Sequence, residues 1–520
     1  MPSTGLSTMP DEPRNIDTLA LLGLKAKSNI FDLSSDLVHV SMRDQIVRAQ
    51  ILVRDLCAAD PNLQRILVVG AGVAGISAAM AAGHAGKTVV VVDTNEEPLS
   101  LQAGVLSRYV GPFMYEWPSI LHADQSYPPV GNAITTQAGP YTPRWASSSP
   151  MPASEFARQV KDWLKSCMSS PNAPMFWMGV KRWDVGPYVK LFAAESAAAC
   201  AALVKGAPVP PTSALRLHSG YTTWPEKKVE SGPVMFNPDY ILLAGGMGIE
   251  ETRLASGSTV VGEKFWEDDD LKAPETTGKK IAVFGGGDGA LQDVLRALTR
   301  FDHPLDYLNF LNGHPKVAAD LRGVLPRLMA IEQQSRLISS WTQGNDVCEH
   351  VDAECFEIAR ELAKRSHIRA SVRKGIRSGS GQVHHFVRGK HFTKAYLLNR
   401  FLVHLVRACR EMRKTRWPNL MDYAIYFDRQ ADGGKQLAAG KGVRVTFKNS
   451  SDIVGSPPLP AQTFDKVVVR YGVEEGSTPG KQMVQLSAGE KKVRSSIGHV
   501  PMPMLMPAWT YVPVTKPVTV

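Results

Sequence analysis

The run Gly70-Ala71-Gly72-Val73-Ala74-Gly75 constrains this chain more than any other feature. Apolar residues 66–69 precede it, and the small-residue stretch Ile76-Ser-Ala-Ala-Met-Ala-Ala follows, so the glycines fall between a buried strand and a helix. In that setting Gly70 allows a tight turn, Gly72 lets the backbone approach a pyrophosphate, and Gly75 lets the helix pack close to the strand. The helix start, with Val73 and Ala74 in its first turn, offers free N–H groups and a partial positive charge to phosphates. A second apolar strand, Thr88 to Val92, ends at Asp93. A carboxylate about 20 residues past the first glycine is placed to accept a ribose 2′-hydroxyl and would repel a 2′-phosphate.

A similar strand, turn and helix begin at Lys280: Ile281-Ala-Val-Phe, then Gly285-Gly-Gly287-Asp-Gly-Ala290, then an apolar-periodic stretch. Between the two motifs, Asp239-Tyr-Ile-Leu-Leu-Ala244-Gly245-Gly246 reads as another buried strand ending in glycines. The expected class is α/β. The expected organisation is an N-terminal helical segment (1–62), a Rossmann-type domain (63–275), a second, inserted dinucleotide-binding-like motif (276–302), a helical basic region (303–440), and return strands with a Pro-rich tail (441–520). Residues 176–237 read as strands and loops. After the Gly285 helix, Phe301-Asp-His-Pro-Leu-Asp interrupts, and no second strand with a terminal acid or Arg is evident.

These segments resemble the flavoproteins with two dinucleotide-binding domains, the FAD/NAD(P)-binding oxidoreductases. The resemblance implies that Gly70, Gly72, Val73, Ala74, Gly75 and Asp93 hold FAD. It also implies that Ala244, Gly245 and Gly246 close over the flavin, and that Gly285, Gly287 and Ala290 receive NAD(P)H. The chain departs from the group in three places: the closing strand ends Ala-Gly-Gly rather than Ala-Thr-Gly, no Cys-x-x-Cys pair is present, and no evident second strand with a terminal acid or Arg follows the Gly285 helix. The second departure excludes the dithiol disulfide reductases.

The segment Arg108-Tyr-Val-Gly-Pro-Phe-Met-Tyr115-Glu-Trp117-Pro concentrates aromatics, one Arg and one Glu in a long irregular stretch. One reading makes it a structural loop anchored by prolines. The other makes it a wall of the flavin and substrate cavity, with Arg108 holding a phosphate or carboxylate and Tyr115, Trp117 and His122 as catalytic candidates. Residues 360–416 carry 16 Lys and Arg against two Glu, more positive charge than the whole chain's net +10. That suits a solvated face or an acidic partner, and no nucleic-acid-binding motif accompanies it. His384, His385 and His391 lack metal-ligand spacing, so no metal site is expected. Cys348 and Cys355 read as core thiols. With neither a basic-apolar leader nor about 18 unbroken apolar residues, no spanning helix is expected and the cytoplasm is the default compartment.

Two functions fit. The first is an FAD-dependent oxidoreductase reduced by NAD(P)H and acting on a small molecule, of the monooxygenase or amine-oxidase kind. The second is a non-enzymatic nucleotide-binding sensor or scaffold that engages an acidic partner through 360–416.

Overall fold

The computed structural model describes residues 18–33, 41–119, 122, 126–129, 139–147, 149–338, 346–412, 417–438, 440–449, 459–474 and 476–484. The N-terminal residues before Thr18 and most of the Pro- and Met-rich tail lie outside them.

The chain begins with α1 (Thr18–Leu24), β1 (Lys25–Lys27), β2 (Ile30–Asp32) and α2 (Met42–Ala59), so two short strands break the helical segment expected over 1–62. A first unit follows: β3 (Arg65–Val69), α3 (Val73–His84) and β4 (Thr88–Val92). The described residues of the aromatic stretch add a 3-10 turn (Met114–Glu116) and two-residue strands, β5 (Tyr109–Val110) paired with β8 (Met151–Pro152), and β6 (Ser126–Tyr127) paired with β7 (Trp145–Ala146). Then come α4 (Ala153–Cys167), β9 (Met175–Met178) and α5 (Arg182–Val204). The unit ends with β10 (Leu215–Leu217), β11 (Tyr221–Trp224), β12 (Val229–Glu230), β13 (Val234–Phe236) and β14 (Tyr240–Leu243).

Eight of these strands form one sheet, in the order β1-β2-β14-β3-β4-β9-β11-β12. The run from β2 to β9 is parallel. Parallel strands are covered on both faces, and this explains their unbroken apolar sequences. Ile66 and Val68 point into the core beneath α2, α3 and α4, whereas Leu67 and Val69 point into the core beneath α5.

The helix α5 corrects the expectation of strands and loops over 176–237. It buries Val185, Tyr188, Val189 and Phe192 against the sheet, while Asp184, Lys190 and Glu195 interrupt its apolar run. By length and composition it is the one described helix long and apolar enough to cross a membrane, those charged residues notwithstanding.

The second unit starts with β15 (Lys280–Phe284) and α6 (Asp288–Leu298). Four helices intervene: α7 (Pro304–Asn312), α8 (Pro315–Leu337), α9 (Asp346–Ala363) and α10 (Ser366–Gly375). Only then does the chain return to the sheet as β16 (Gln382–Phe386), continuing through α11 (Leu397–Glu411) to β17 (Asp422–Tyr426). A meander of β18 (Arg429–Gln436), β19 (Val443–Asn449) and β20 (Gln462–Phe464) leads to β21 (Lys466–Val469), and α12 (Pro479–Met483) ends the described chain. The sheet order is β17-β16-β15-β21, all parallel. The region 303–440 is therefore not purely helical, and residues 276–302 are only the opening of a four-stranded sheet that closes at 469.

The two sheets repeat one topology. Written as fourth, first, second and third strand of a unit, the orders are β14-β3-β4-β9 and β21-β15-β16-β17. In the first unit the helix returns to its second strand directly. In the second unit, the α7–α10 block is spliced between them.

Much of the positive charge in 360–416 is consumed inside this second unit. Arg400 pairs with Asp352, Arg410 with Asp422, and Arg377 donates to the Leu271 and Ala273 carbonyls. His384, His385, His391 and His404 are buried, so the segment is not one continuous solvated face. Cys348 and Cys355 are core thiols on α9, as their spacing suggested.

Candidate functional site

At the first turn, Gly70 has φ +114°, and a Cβ there would stand 2.3 Å from the Ala244 carbonyl oxygen. A Cβ on Gly75 would meet the Gly70 carbonyl oxygen at 1.9 Å. These two glycines are demanded by the protein's own packing. Gly72 is different: its backbone is extended, and a Cβ would meet nothing within 4 Å. Its space opens onto a cavity. The first turn of α3 carries no acidic residue and no side-chain cap, so its N–H groups are available to an anion.

Asp93 faces this turn. Its Oδ2 accepts the Ala71 N–H at 2.6 Å, and its Oδ1 accepts Asn95 N–H at 2.8 Å. Asn95 Nδ2 also donates to Oδ1 at 2.8 Å, so Oδ2 is the oxygen that keeps a further acceptor site for a ligand hydroxyl. A group with two linked phosphates and a ribose fits here: small residues, open amides and an acid meet where a side chain would otherwise be needed to fill space.

The second turn is built on the same plan. Gly285 has φ +140°, and its Cβ would fall 2.2 Å from the Arg470 carbonyl oxygen, so Arg470 occupies the place that Ala244 holds in the first unit. Ala290 is wholly buried and packs α6 against the turn, the service Gly75 performs for α3. Asp288, in the first turn of α6, accepts the Tyr396 N–H at 2.9 Å and Asn399 Nδ2 at 2.7 Å. Burial pushes its carboxyl up to about 6, against the pull of those two donors.

Both turns open onto a single cavity of about 1740 Å³. Gly70, Gly72, Val73, Ala74 and Asp93 line it at the first turn, with Ala244, Gly245 and Gly246 against Gly70, and Gly285 and Gly287 line it at the second. A further wall, adjoining α6, comes from three segments remote in sequence. Tyr109 and Tyr115 come from the aromatic loop, Glu332 and Arg336 from α8, and Tyr396 from the start of α11. Tyr115 and Tyr396 stack at 4.1 Å and 7°, and Gln292 Nε2 donates to Tyr115 Oη at 2.5 Å.

Arg336 ties this wall together, reaching Glu332 at 2.7 Å and Glu116 at 3.0 Å. Glu116 in turn holds Arg43 of α2 at 2.7 Å. Burial pushes the Glu332 carboxyl up to about 7, Arg336 opposing and Glu116 reinforcing. A carboxyl raised on folding favours the protonated form, so its ionisation costs stability as pH climbs from the ordinary Glu range through 7. The cost, complete above that point, is about 3 kcal/mol. The Glu332→Gln protein should therefore melt near the wild type at pH 5, gain on it through pH 7, and hold that gain level up to pH 8.5. Melting curves across that range check this; a gap that fails to widen contradicts it.

The other catalytic candidates are placed elsewhere. Arg108 does not face the cavity. Its guanidinium is buried between Asp293 and Asp269, the latter at 2.9 Å, and lies 4.5 Å from the centre of the Phe265 ring. Arg296 joins the same two acids at 3.0 and 2.7 Å, and Arg470 Nε reaches Asp293 at 2.8 Å. Arg108 Nε has no hydrogen-bond partner among the described residues, but the side chain is buried away from the cavity, so it does not hold a substrate carboxylate in the expected manner; the cluster clamps the aromatic loop to α6. Trp117 is buried against Phe401 at 5.1 Å, a core position. His122 donates from Nδ1 to the Ser119 carbonyl at 2.6 Å and is not on the cavity wall. Of the four, only Tyr115 lines the cavity.

Glu332 and Arg336 were missed by sequence reading, since α8 shows only an ordinary mix of apolar and basic residues. The second strand after Gly285 was missed as well: it is β16, delayed by four helices.

Comparison with curated protein sequences finds no match. Among solved structures, thioredoxin reductase from Lactococcus lactis is 9% identical with a TM-score of 0.30, covering 79% of this chain and 77% of that one. The cadaverine monooxygenase DfoA from Erwinia amylovora, bound to FAD, gives 9% and 0.34 over 78% and 77%. FprA from Mycobacterium tuberculosis, in complex with NADPH, gives 11% and 0.30 over 81% and 73%. Residues 65–103 match the FAD binding domain family. That stretch holds β3, α3, β4, all three glycines of the first turn and Asp93, and it is this unit that carries the chain's likeness to FAD-binding proteins.

Proposed function

We propose that this protein is an FAD-dependent oxidoreductase in which a nicotinamide nucleotide serves as reductant for chemistry on a small molecule. The observation that carries the reading is that two dinucleotide-type turns of the same topology face one continuous cavity. FAD, when bound, supplies the electron transfer, and the protein supplies binding, orientation and electrostatics.

The residues divide the labour. The Gly70–Gly75 turn and the open end of α3 receive the pyrophosphate, and Asp93 receives the adenosine ribose. Ala244, Gly245 and Gly246, at the end of β14, keep the space between the turns free of side chains. The wall of stacked tyrosines, with Glu332 and Arg336, is the part best suited to a substrate, since it joins aromatic faces to a carboxyl that exchanges its proton near neutral pH. The α7–α10 block that brings Glu332 and Arg336 is absent from the otherwise equivalent first unit, so nucleotide binding alone does not require it.

Anaerobic titration of the FAD-loaded protein with NADPH and with NADH tests the proposal. Bleaching of the oxidised-flavin absorbance supports it. A yellow protein that neither nucleotide bleaches points to an oxidase reduced by its own substrate. A folded, colourless protein that refuses FAD supports the sensor or scaffold reading instead.

A further inference from the structure

The repeat of topology allows the nucleotide preference of the second turn to be read against the first. In the first unit Val69 pairs with Val92, the Gly70 N–H donates to the Val92 carbonyl, and the next residue, Asp93, touches Ala71. In the second unit Phe284 pairs with Phe386, and the Gly285 N–H donates to the Phe386 carbonyl. The next residue, Val387, lies 3.0 Å from the position of a Cβ on Gly286. Residue by residue, Gly285 matches Gly70, Gly286 matches Ala71, and Val387 matches Asp93. Where the first unit places a carboxylate beside the ribose position, the second places an apolar side chain.

Arg388 comes next. It is exposed, lines the cavity together with Gly286 and Gly287, and has no carboxylate partner among the described residues. That contrasts with Arg400, Arg410, Arg296 and Arg108, each held by an acid. Lys394, whose backbone carbonyl stands 3.4 Å from a Cβ on Gly287, also lines the cavity on the loop between β16 and α11. An acid after the second strand accepts a ribose 2′-hydroxyl, while a nearby Arg accommodates a 2′-phosphate. A guanidinium provides several donors in a fixed fork for phosphate oxygens.

We propose that the second turn selects a nicotinamide dinucleotide bearing a 2′-phosphate, and that Arg388 is the residue that reads the phosphate. This rests on taking the Gly285 turn as the nicotinamide-nucleotide site, and it adds the discrimination between the two forms of that ligand. No acid at the Val387 position competes for the ribose hydroxyl, so the form lacking the phosphate gains nothing specific there.

Calorimetric titration of the FAD-loaded protein with NADP⁺ and with NAD⁺ provides the test. Wild type should bind NADP⁺ more tightly. Arg388→Ala should weaken NADP⁺ by about 10- to 100-fold, the loss of charge-assisted hydrogen bonds, and leave NAD⁺ unchanged. Val387→Asp, which restores the first unit's acid, should shift the preference towards NAD⁺. Arg388 is exposed, so the melting temperature should not change and a folding defect is separable. Equal affinity for the two nucleotides in wild type, or an Arg388→Ala protein that loses both alike, would overturn the assignment while leaving the second turn a nicotinamide site. Failure to bind either nucleotide while FAD remains bound would overturn both.

Discussion

Protein carrying Gly72→Val should fold, melt with the wild type, and emerge colourless from a gel-filtration column after incubation with FAD. The expectation depends on a contrast among three glycines in one turn. A side chain at position 70 or 75 collides with backbone at 2.3 or 1.9 Å, so substitutions there damage the fold and say nothing about a ligand. At position 72 the backbone is extended and no protein atom lies within 4 Å of the added carbon, so valine is tolerated without a ligand. The branched side chain then stands where the pyrophosphate must approach the amides of α3. Overpacking of about 1–3 kcal/mol, joined to lost phosphate hydrogen bonds, weakens FAD by roughly 100-fold or more. Equilibrium dialysis with FAD measures it. Undiminished binding by a folded Gly72→Val protein would place the flavin elsewhere.

Asp293→Ala should produce the largest stability loss of any single substitution on the clamp. Asp293 is fully buried and neutralises Arg108, Arg296 and Arg470 together. Burial alone would raise its carboxyl, but Arg108, Arg470 and Arg296 overrule that and hold it well below the usual carboxylate range. Removing it leaves Arg108 and Arg296 sharing Asp269 and leaves Arg470 with no acid among the described residues. Breaking a buried charged network of this kind costs about 3–5 kcal/mol, since uncompensated charge stays in the interior. A fall in melting temperature of roughly 3–5 °C is expected at neutral pH for a chain of this length. Because the folded carboxyl is depressed, its contribution is complete above the ordinary Asp range and is lost only as pH falls through that range and below. The deficit of the variant should accordingly shrink in strong acid. A drop of less than about 2 °C at pH 7 would show that the clamp contributes little.

What could be read in advance follows from how local each feature is. The β3–α3–β4 unit was legible because its strands are apolar on both faces and because the chain returns from α3 to β4 within a few residues, which put Asp93 in view. The opening of the second unit, β15 and α6, was legible for the same reason. Its second strand was not, because α7–α10 separate it from α6 and because it reads Gln-Val-His-His-Phe. The His385 in that strand is a core residue: its Nε2 lies 2.7 Å from the Gly285 carbonyl oxygen, and burial holds its pKa down near 4, so no periodic apolar run marked the strand. The Arg108 misreading has a related cause. Its acidic partners lie at 269 and 293, and nothing near 108 announces them. The cavity wall was half legible: the aromatic loop supplies Tyr115, but Glu332 and Arg336 reach it through tertiary packing. The helix α5 was hidden by its charged residues and by Pro187 within it.

Titration of wild-type protein with FAD, followed by a count of the flavin retained per chain, shows whether the Gly70–Gly75 turn and Asp93 have a cofactor to hold. One tightly held FAD per chain, with the spectral shift of a flavin leaving water, is the predicted result. A correctly folded protein that retains none at saturating FAD would contradict the account at its root.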